Sequence, residues 1–139
     1  MSELRKHWGG GLERDALPPD QAQALAEGFA AHVGFGRTDL EEPAPLEAFD
    51  VAPPRLTPPD SLAETCSTDL RDRIFHSHGA AYRDVVRAMR GELKWITDVV
   101  ARPNQESQIA EILEWCSAEG IAVIPFGGGT SVVGGVEPR

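Results

Sequence analysis

The stretch PFGGGTSVVGG, residues 125–135, constrains this chain more than any other. Five glycines in eleven positions make a poor helix or strand, because glycine loses the most backbone freedom on folding. Such an order suits a backbone that turns sharply, or one that lies against something no side chain may obstruct. The preceding residues narrow the choice. DVVAR, residues 98–102, is a β-branched run suited to a buried strand. Pro103 ends it, Asn104 is a good N-cap, and Ile109, Ile112, Leu113 and Cys116 form the apolar stripe of a helix stopped by Gly120. IAVIPF, residues 121–126, is a second apolar run that leads directly into the glycines. The pattern predicts strand, helix, strand, with both strands parallel in one sheet and a ligand beyond their carboxyl ends.

Two phosphate-binding templates fail on this loop. The pattern GxxxxGK[ST] needs a lysine after the glycines, and none follows. The dinucleotide fingerprint GxGxxG, begun at Gly127, needs glycine where Val132 stands, and it must open a helix that VVGGVEPR cannot start. What is left is a run of bare N–H groups able to form an anion-binding concavity, with Thr130 and Ser131 adding hydroxyl donors. A diphosphate suits so wide a donor array. The competing reading is a tight turn after a buried strand, and spacing alone leaves both standing.

Upstream, Ala22, Leu25, Ala26, Phe29, Ala30 and Val33 recur at helical spacing between Pro18-Pro19-Asp20 and Gly34. Prolines 43, 45, 53, 54, 58 and 59 mark residues 41–60 as a connector. Ser67 or Thr68 is placed to cap a short helix through Arg73 and Phe75, and Tyr82, Val85, Val86 and Met89 share one face of the next, which ends at Gly91. The chain thus divides into a helical and Pro-rich region, 1–66, and a region of denser structural signals, 67–139. With 22 acidic against 13 basic residues, net charge −9, it lacks the clustered cations that nucleic acid or an anionic membrane requires. Cys66 and Cys116 suggest reduced thiols in a cytoplasmic protein, and no run approaches transmembrane length. His76 and His78 have no third metal ligand at plausible spacing, so a structural role at the His78-Gly79 turn is expected. Arg83, Arg87, Arg90 and Lys94 read as a solvated helix face, and Trp8, Trp95 and Trp115 as packing residues.

The run DVVARPNQESQIAEILEWCSAEGIAVIPFGGGTSVVGG resembles the start of an FAD-binding domain of the vanillyl-alcohol-oxidase type. KHWGGG and STDLRDRIFHSHGAAYRDVVRAMRGELKWITDVV resemble the alkyldihydroxyacetonephosphate synthase branch and its bacterial FAD-linked oxidase relatives. The resemblance implies an α+β architecture: a helical lead-in, then the first βαβ portion of an FAD-binding domain. It implies FAD as cofactor, its diphosphate held by Pro125, Phe126, Gly127, Gly128, Gly129, Thr130 and Ser131, with Gly134 and Gly135 at a second glycine turn near the flavin. The family's catalytic segment lies beyond the residues matched here, so no catalytic residue is assigned and the chain is expected to be a truncated, N-terminal portion. The implied activity is either oxidation of a small hydroxy compound or the ether-lipid step in which a fatty alcohol replaces an acyl chain on dihydroxyacetone phosphate. A homodimer is implied for the full-length protein. The alternative is a non-catalytic remnant that binds no FAD by itself.

Overall fold

The computed structural model describes residues 4–138. Four α-helices dominate: α1 Pro19–Val33, α2 Leu70–Phe75, α3 Tyr82–Met89 and α4 Glu106–Glu119. Two short strands, β1 Cys66–Ser67 and β2 Val100–Ala101, pair antiparallel with Cys66 opposite Ala101.

The expected parallel strand pair around α4 is not what forms. β2 finds its ladder with β1, from the residues just before α2. The run 121–126 carries no strand ladder among the described residues. An apolar run becomes a strand only when a neighbour supplies N–H and C=O partners. Here Ile121 instead donates its N–H to the Cys116 carbonyl at 2.8 Å, finishing the helix, and Val123 is left half-exposed.

The helix stripes are buried less fully than their periodicity suggests. On α4, Ile112 and Cys116 are buried against Leu62, with Trp115, Ile121, Cys66 and Ala101 packed around them. Ile109 and Leu113, expected in the same stripe, are about half-exposed. On α3 the buried pair is Asp84 and Ala88 rather than the Tyr82 face, and Tyr82 is exposed. Helix α1 begins and ends where Pro19 and Gly34 predict, yet buries none of its residues. Caps differ as well. Asp69, not Ser67 or Thr68, caps α2 by accepting from the N–H groups of Arg71 and Asp72, while Ser67 accepts from the Asp69 N–H. Gln105 occupies the N-cap of α4, and the Asn104 N–H donates to the Gln108 side chain at 2.8 Å.

Segment 41–60 is strapped to the body rather than loosely appended. Proline-rich backbone offers few donors, so its carbonyls and remaining amides bond outward. Ala44 donates to the Met89 carbonyl at 2.7 Å. Arg73, 5% exposed, donates to the carbonyls of Thr97 (2.8 Å) and Ala52 (2.9 Å). Asp98 accepts from the Arg55 N–H at 2.8 Å and from its guanidinium at 2.6 Å. Ser77 completes the junction, donating to the Arg73 carbonyl and accepting from the Thr97 N–H. Leu62, fully buried, carries this stretch into the α4 core. The change of sequence character at residue 66 is therefore crossed by side chains from both sides.

Candidate functional site

The run 121–126 delivers Phe126 onto the end of α2. Its ring lies 4.6 Å from the His76 ring and 6.0 Å from that of Phe75, centroid to centroid. It also folds beneath its own loop: a Cβ on Gly129 would lie 2.5 Å from the ring edge, and Gly129 has φ +70°. Gly129 is thus required by the loop's own fold. Gly127 and Gly128 differ. Neither has any atom within 4 Å of the position a Cβ would take, so their backbone faces open space.

The far side of the loop rests on the segment between α2 and α3. Ala80 donates its N–H to the Thr130 carbonyl at 3.1 Å. Gly79 is pressed against the loop, where a Cβ would fall 2.7 Å from the Ser131 carbonyl oxygen and 2.9 Å from Asp84 Oδ2. Ser131 has φ +24°, and its hydroxyl accepts from the Val136 N–H at 3.2 Å. That hydroxyl therefore braces the loop from within. Gly134 is buried and donates to the Ser131 carbonyl at 3.2 Å, closing the second glycine turn, and a Cβ on Gly135 would lie 3.8 Å from the Ser131 hydroxyl. Thr130 and Pro125 are exposed, as are Val132 and Val133 at the tip.

Beneath the loop lies a compact charge cluster. Asp84, 1% exposed, has no hydrogen bond to either carboxylate oxygen among the described residues. Arg83 Nε at 3.6 Å and Arg87 at 3.8 Å balance its charge, and Glu137 meets Arg87 at 2.9 Å. Arg87, which read as solvated, is thus largely buried beneath the loop, while Arg83 reaches the same carboxylates from an exposed position, in keeping with its reading as solvated. Sequence reasoning did not find Asp84. An acidic residue between two arginines at this spacing looks like a surface ion pair, and only the fold buries it. His78 bears out its structural reading: Nδ1 is 2.7 Å from the Gly79 carbonyl and Nε2 is 3.0 Å from the His7 carbonyl.

Burial pushes the His76 imidazole below the ordinary histidine range, against the pull of the Asp72 carbonyl that its Nδ1 meets at 2.7 Å. Paired guanidinium groups hold two carboxyls below the usual range, Arg102 on Asp72 and Arg55 on Asp98. A depressed histidine costs stability as pH falls through the unfolded value, about 6.5, because only the unfolded chain then takes up the proton. The depressed carboxyls contribute stability above their unfolded values, about 4, and lose it as pH falls through their folded ones. Stability to urea should therefore fall in two acid steps. His76→Gln should remove the upper step alone; a urea midpoint independent of pH between 7 and 5 in the native sequence would contradict the assignment.

The loop thus leaves open space beside Gly127 and Gly128, while Gly129 packs on Phe126 and Ser131 ties the loop to Val136. The phosphate-bearing part of a nucleotide cofactor fits that space, since nothing obstructs close approach there. Residues 97–139 match the family described as FAD binding domain. The chain is 36% identical over 110 residues to an alkyldihydroxyacetonephosphate synthase of Trypanosoma brucei brucei, an alignment covering 70% of this chain and 18% of that protein. It is 32% identical over 73 residues to a mitochondrial D-lactate dehydrogenase [cytochrome] of Arabidopsis thaliana, covering 52% of this chain and 12% of the relative. A solved alkyldihydroxyacetonephosphate synthase superposes on all of this chain with TM-score 0.74 at 23% identity, and the match covers 31% of that chain. The chain thus spans under a third of the length of each of these three proteins. No helix among the described residues is long and apolar enough to cross a membrane. The matched domain and the relatives agree on FAD as the cofactor of this flavoprotein chain, and they set it near the alkyldihydroxyacetonephosphate synthase branch of FAD-binding oxidases.

Proposed function

We propose that residues 67–139 hold the FAD diphosphate through the 125–131 loop, and that residues 1–66 support it, in an enzyme with alkyldihydroxyacetonephosphate synthase-like chemistry. The observation that carries the proposal is the contrast within the glycine run. Gly129 is spoken for by Phe126, while Gly127 and Gly128 present bare backbone to open space. A loop built only to turn has no need of that bare face. Gly127 and Gly128 would approach the phosphates, Thr130 would offer its exposed hydroxyl, and Ser131, Gly134 and Gly135 would hold the loop in shape.

When bound, FAD supplies the redox chemistry through its isoalloxazine, and the protein supplies binding and orientation. In this reading the residues of the loop bind and orient the cofactor. The unladdered run 121–126 offers an edge at which further strands of such a domain would add. The substrate would be a lipid-phosphate in the synthase reading, or a small hydroxy acid in the oxidase reading that the D-lactate dehydrogenase relative supports. The synthase reading is favoured because its alignment extends over 110 residues rather than 73. We place the protein in the cytoplasm, as a homodimer when full length.

The test combines binding and turnover. Titration of the protein with FAD should quench flavin fluorescence, and ADP should compete far more strongly than riboflavin, which binds only weakly without phosphate. The loaded full-length protein should then form an ether from an acyl dihydroxyacetone phosphate and a fatty alcohol. Bleaching of the flavin by a 2-hydroxy acid, without ether formation, would favour the oxidase. Absence of FAD binding would overturn both.

A further inference from the structure

The turn 5–11, which contains HWGGG, has no part in the site described so far, yet the fold brings it there. Arg5 and Leu12 form an antiparallel bridge, closed by Lys6 N–H to the Gly11 carbonyl at 3.2 Å and Glu13 N–H to the Leu4 carbonyl at 2.9 Å. Two long-range side chains pin this hairpin. Arg71, which also pairs with Glu13, donates to the Arg5 carbonyl at 3.2 Å. The buried His78 meets the His7 carbonyl at 3.0 Å. His7 itself reaches the Ala44 carbonyl at 2.9 Å and lies edge-on to Phe49.

The pinned turn faces the glycine loop across a cavity of about 40 Å³, with Arg5, Gly9 and Gly10 on one side and Gly128 and Gly129 on the other. At about 10–15 Å³ for each water, that is room for the terminal oxygens of one phosphoryl group. Phe75 and Phe126 line it, and no acidic side chain does. Among the described arginines, Arg5 alone has neither a carboxylate nor a carbonyl on its guanidinium; its neighbour Arg71, for example, is paired with Glu13. In a chain of net charge −9, a cation left unpaired beside an anion cradle that contains no basic residue points to an anionic ligand.

We propose that the turn 5–11 is the second wall of the nucleotide site, with Arg5 supplying the positive charge that the glycine loop lacks to one phosphate of the FAD diphosphate. This rests on the reading of 125–131 as the diphosphate loop. Gly9 and Gly10 keep the opposing wall bare, and His78 holds the two walls in register, since it bonds both the turn and the Gly79 carbonyl beside the loop.

The experiment measures affinity for FAD, ADP and riboflavin in the native protein and in Arg5→Ala, Arg5→Lys and Gly128→Val. Arg5 is exposed, so its variants should unfold at the native urea midpoint. Arg5→Ala should weaken FAD and ADP about tenfold to a hundredfold, the worth of one charge-assisted hydrogen bond. Riboflavin, which lacks phosphate, should be unaffected; Arg5→Lys should recover part of the loss; and the salt dependence of ADP binding should flatten in Arg5→Ala. Native FAD affinity in Arg5→Ala, together with loss of binding in Gly128→Val, would overturn the role of Arg5 and leave the loop reading intact. Equal losses for FAD and riboflavin would reduce Arg5 to a structural residue and overturn the proposal. Full FAD binding by Gly128→Val would overturn the loop reading, and this proposal with it.

Discussion

Gly128→Val should yield a soluble, folded protein that retains no FAD. The position has no neighbour within 4 Å of an added Cβ, and its backbone does not lie in the left-handed region. Stability should therefore change by no more than about 0.5 kcal/mol, as for ordinary surface substitutions. The valine methyls would instead occupy the space through which phosphate oxygens approach the backbone. Flavin absorbance per folded molecule is the measurement, with the urea midpoint as its control. Gly129→Val separates the two uses of glycine in the run. There the side chain meets the Phe126 ring and a strained φ, so loop structure and flavin should be lost together. Ser131→Ala should behave differently again, since the Val136 N–H loses its acceptor, which costs about 1–3 kcal/mol if that amide stays buried. Full flavin occupancy in folded Gly128→Val would end the diphosphate reading.

Gly79→Ala should destabilise the protein more than any other single-methyl addition at a glycine outside the loop. The new methyl meets a backbone oxygen of Ser131 at 2.7 Å and the short, buried Asp84 side chain at 2.9 Å, and neither can swing aside as a long side chain would. Overpacking of this kind costs about 1–3 kcal/mol, and the Ala80 to Thr130 hydrogen bond should be lost with it. Gly28→Ala is the natural comparison. It lies within α1 with open space around it, and alanine there should stabilise the helix by about 0.5–1 kcal/mol. Urea unfolding of both variants gives the contrast directly. Native stability in Gly79→Ala would show that the loop does not rest on that segment.

Local chemistry announced most of the helices. Proline at the start and glycine at the end of α1, and Gly120 after α4, act on backbone within a few residues and are readable wherever they occur. Burial was not readable in the same way. Leu25 and Ile112 have the same periodic signature, yet one is exposed and the other packed on Leu62, because burial depends on a distant element arriving. The missing parallel strand has the same cause, since Val100 and Val123 are equally β-prone and only Val100 meets a partner. The motif singled out the loop, but the contacts that Gly79, Asp84 and the turn at Arg5 make around it were hidden, being brought there from 41 or more residues away.

The bracing of the glycine loop bears on how quickly a cofactor can be captured. With Phe126 beneath it, Ser131 tied to the following turn at Val136 and Ala80 tethering its shoulder, the loop has given up much of its conformational entropy on folding. Little remains to be surrendered on binding, so association should be a simple bimolecular encounter whose rate rises linearly with ligand concentration, free of a slow ordering phase. The open face at Gly127 and Gly128 would then act as a preformed mould, and release, rather than capture, would set how long the nucleotide stays.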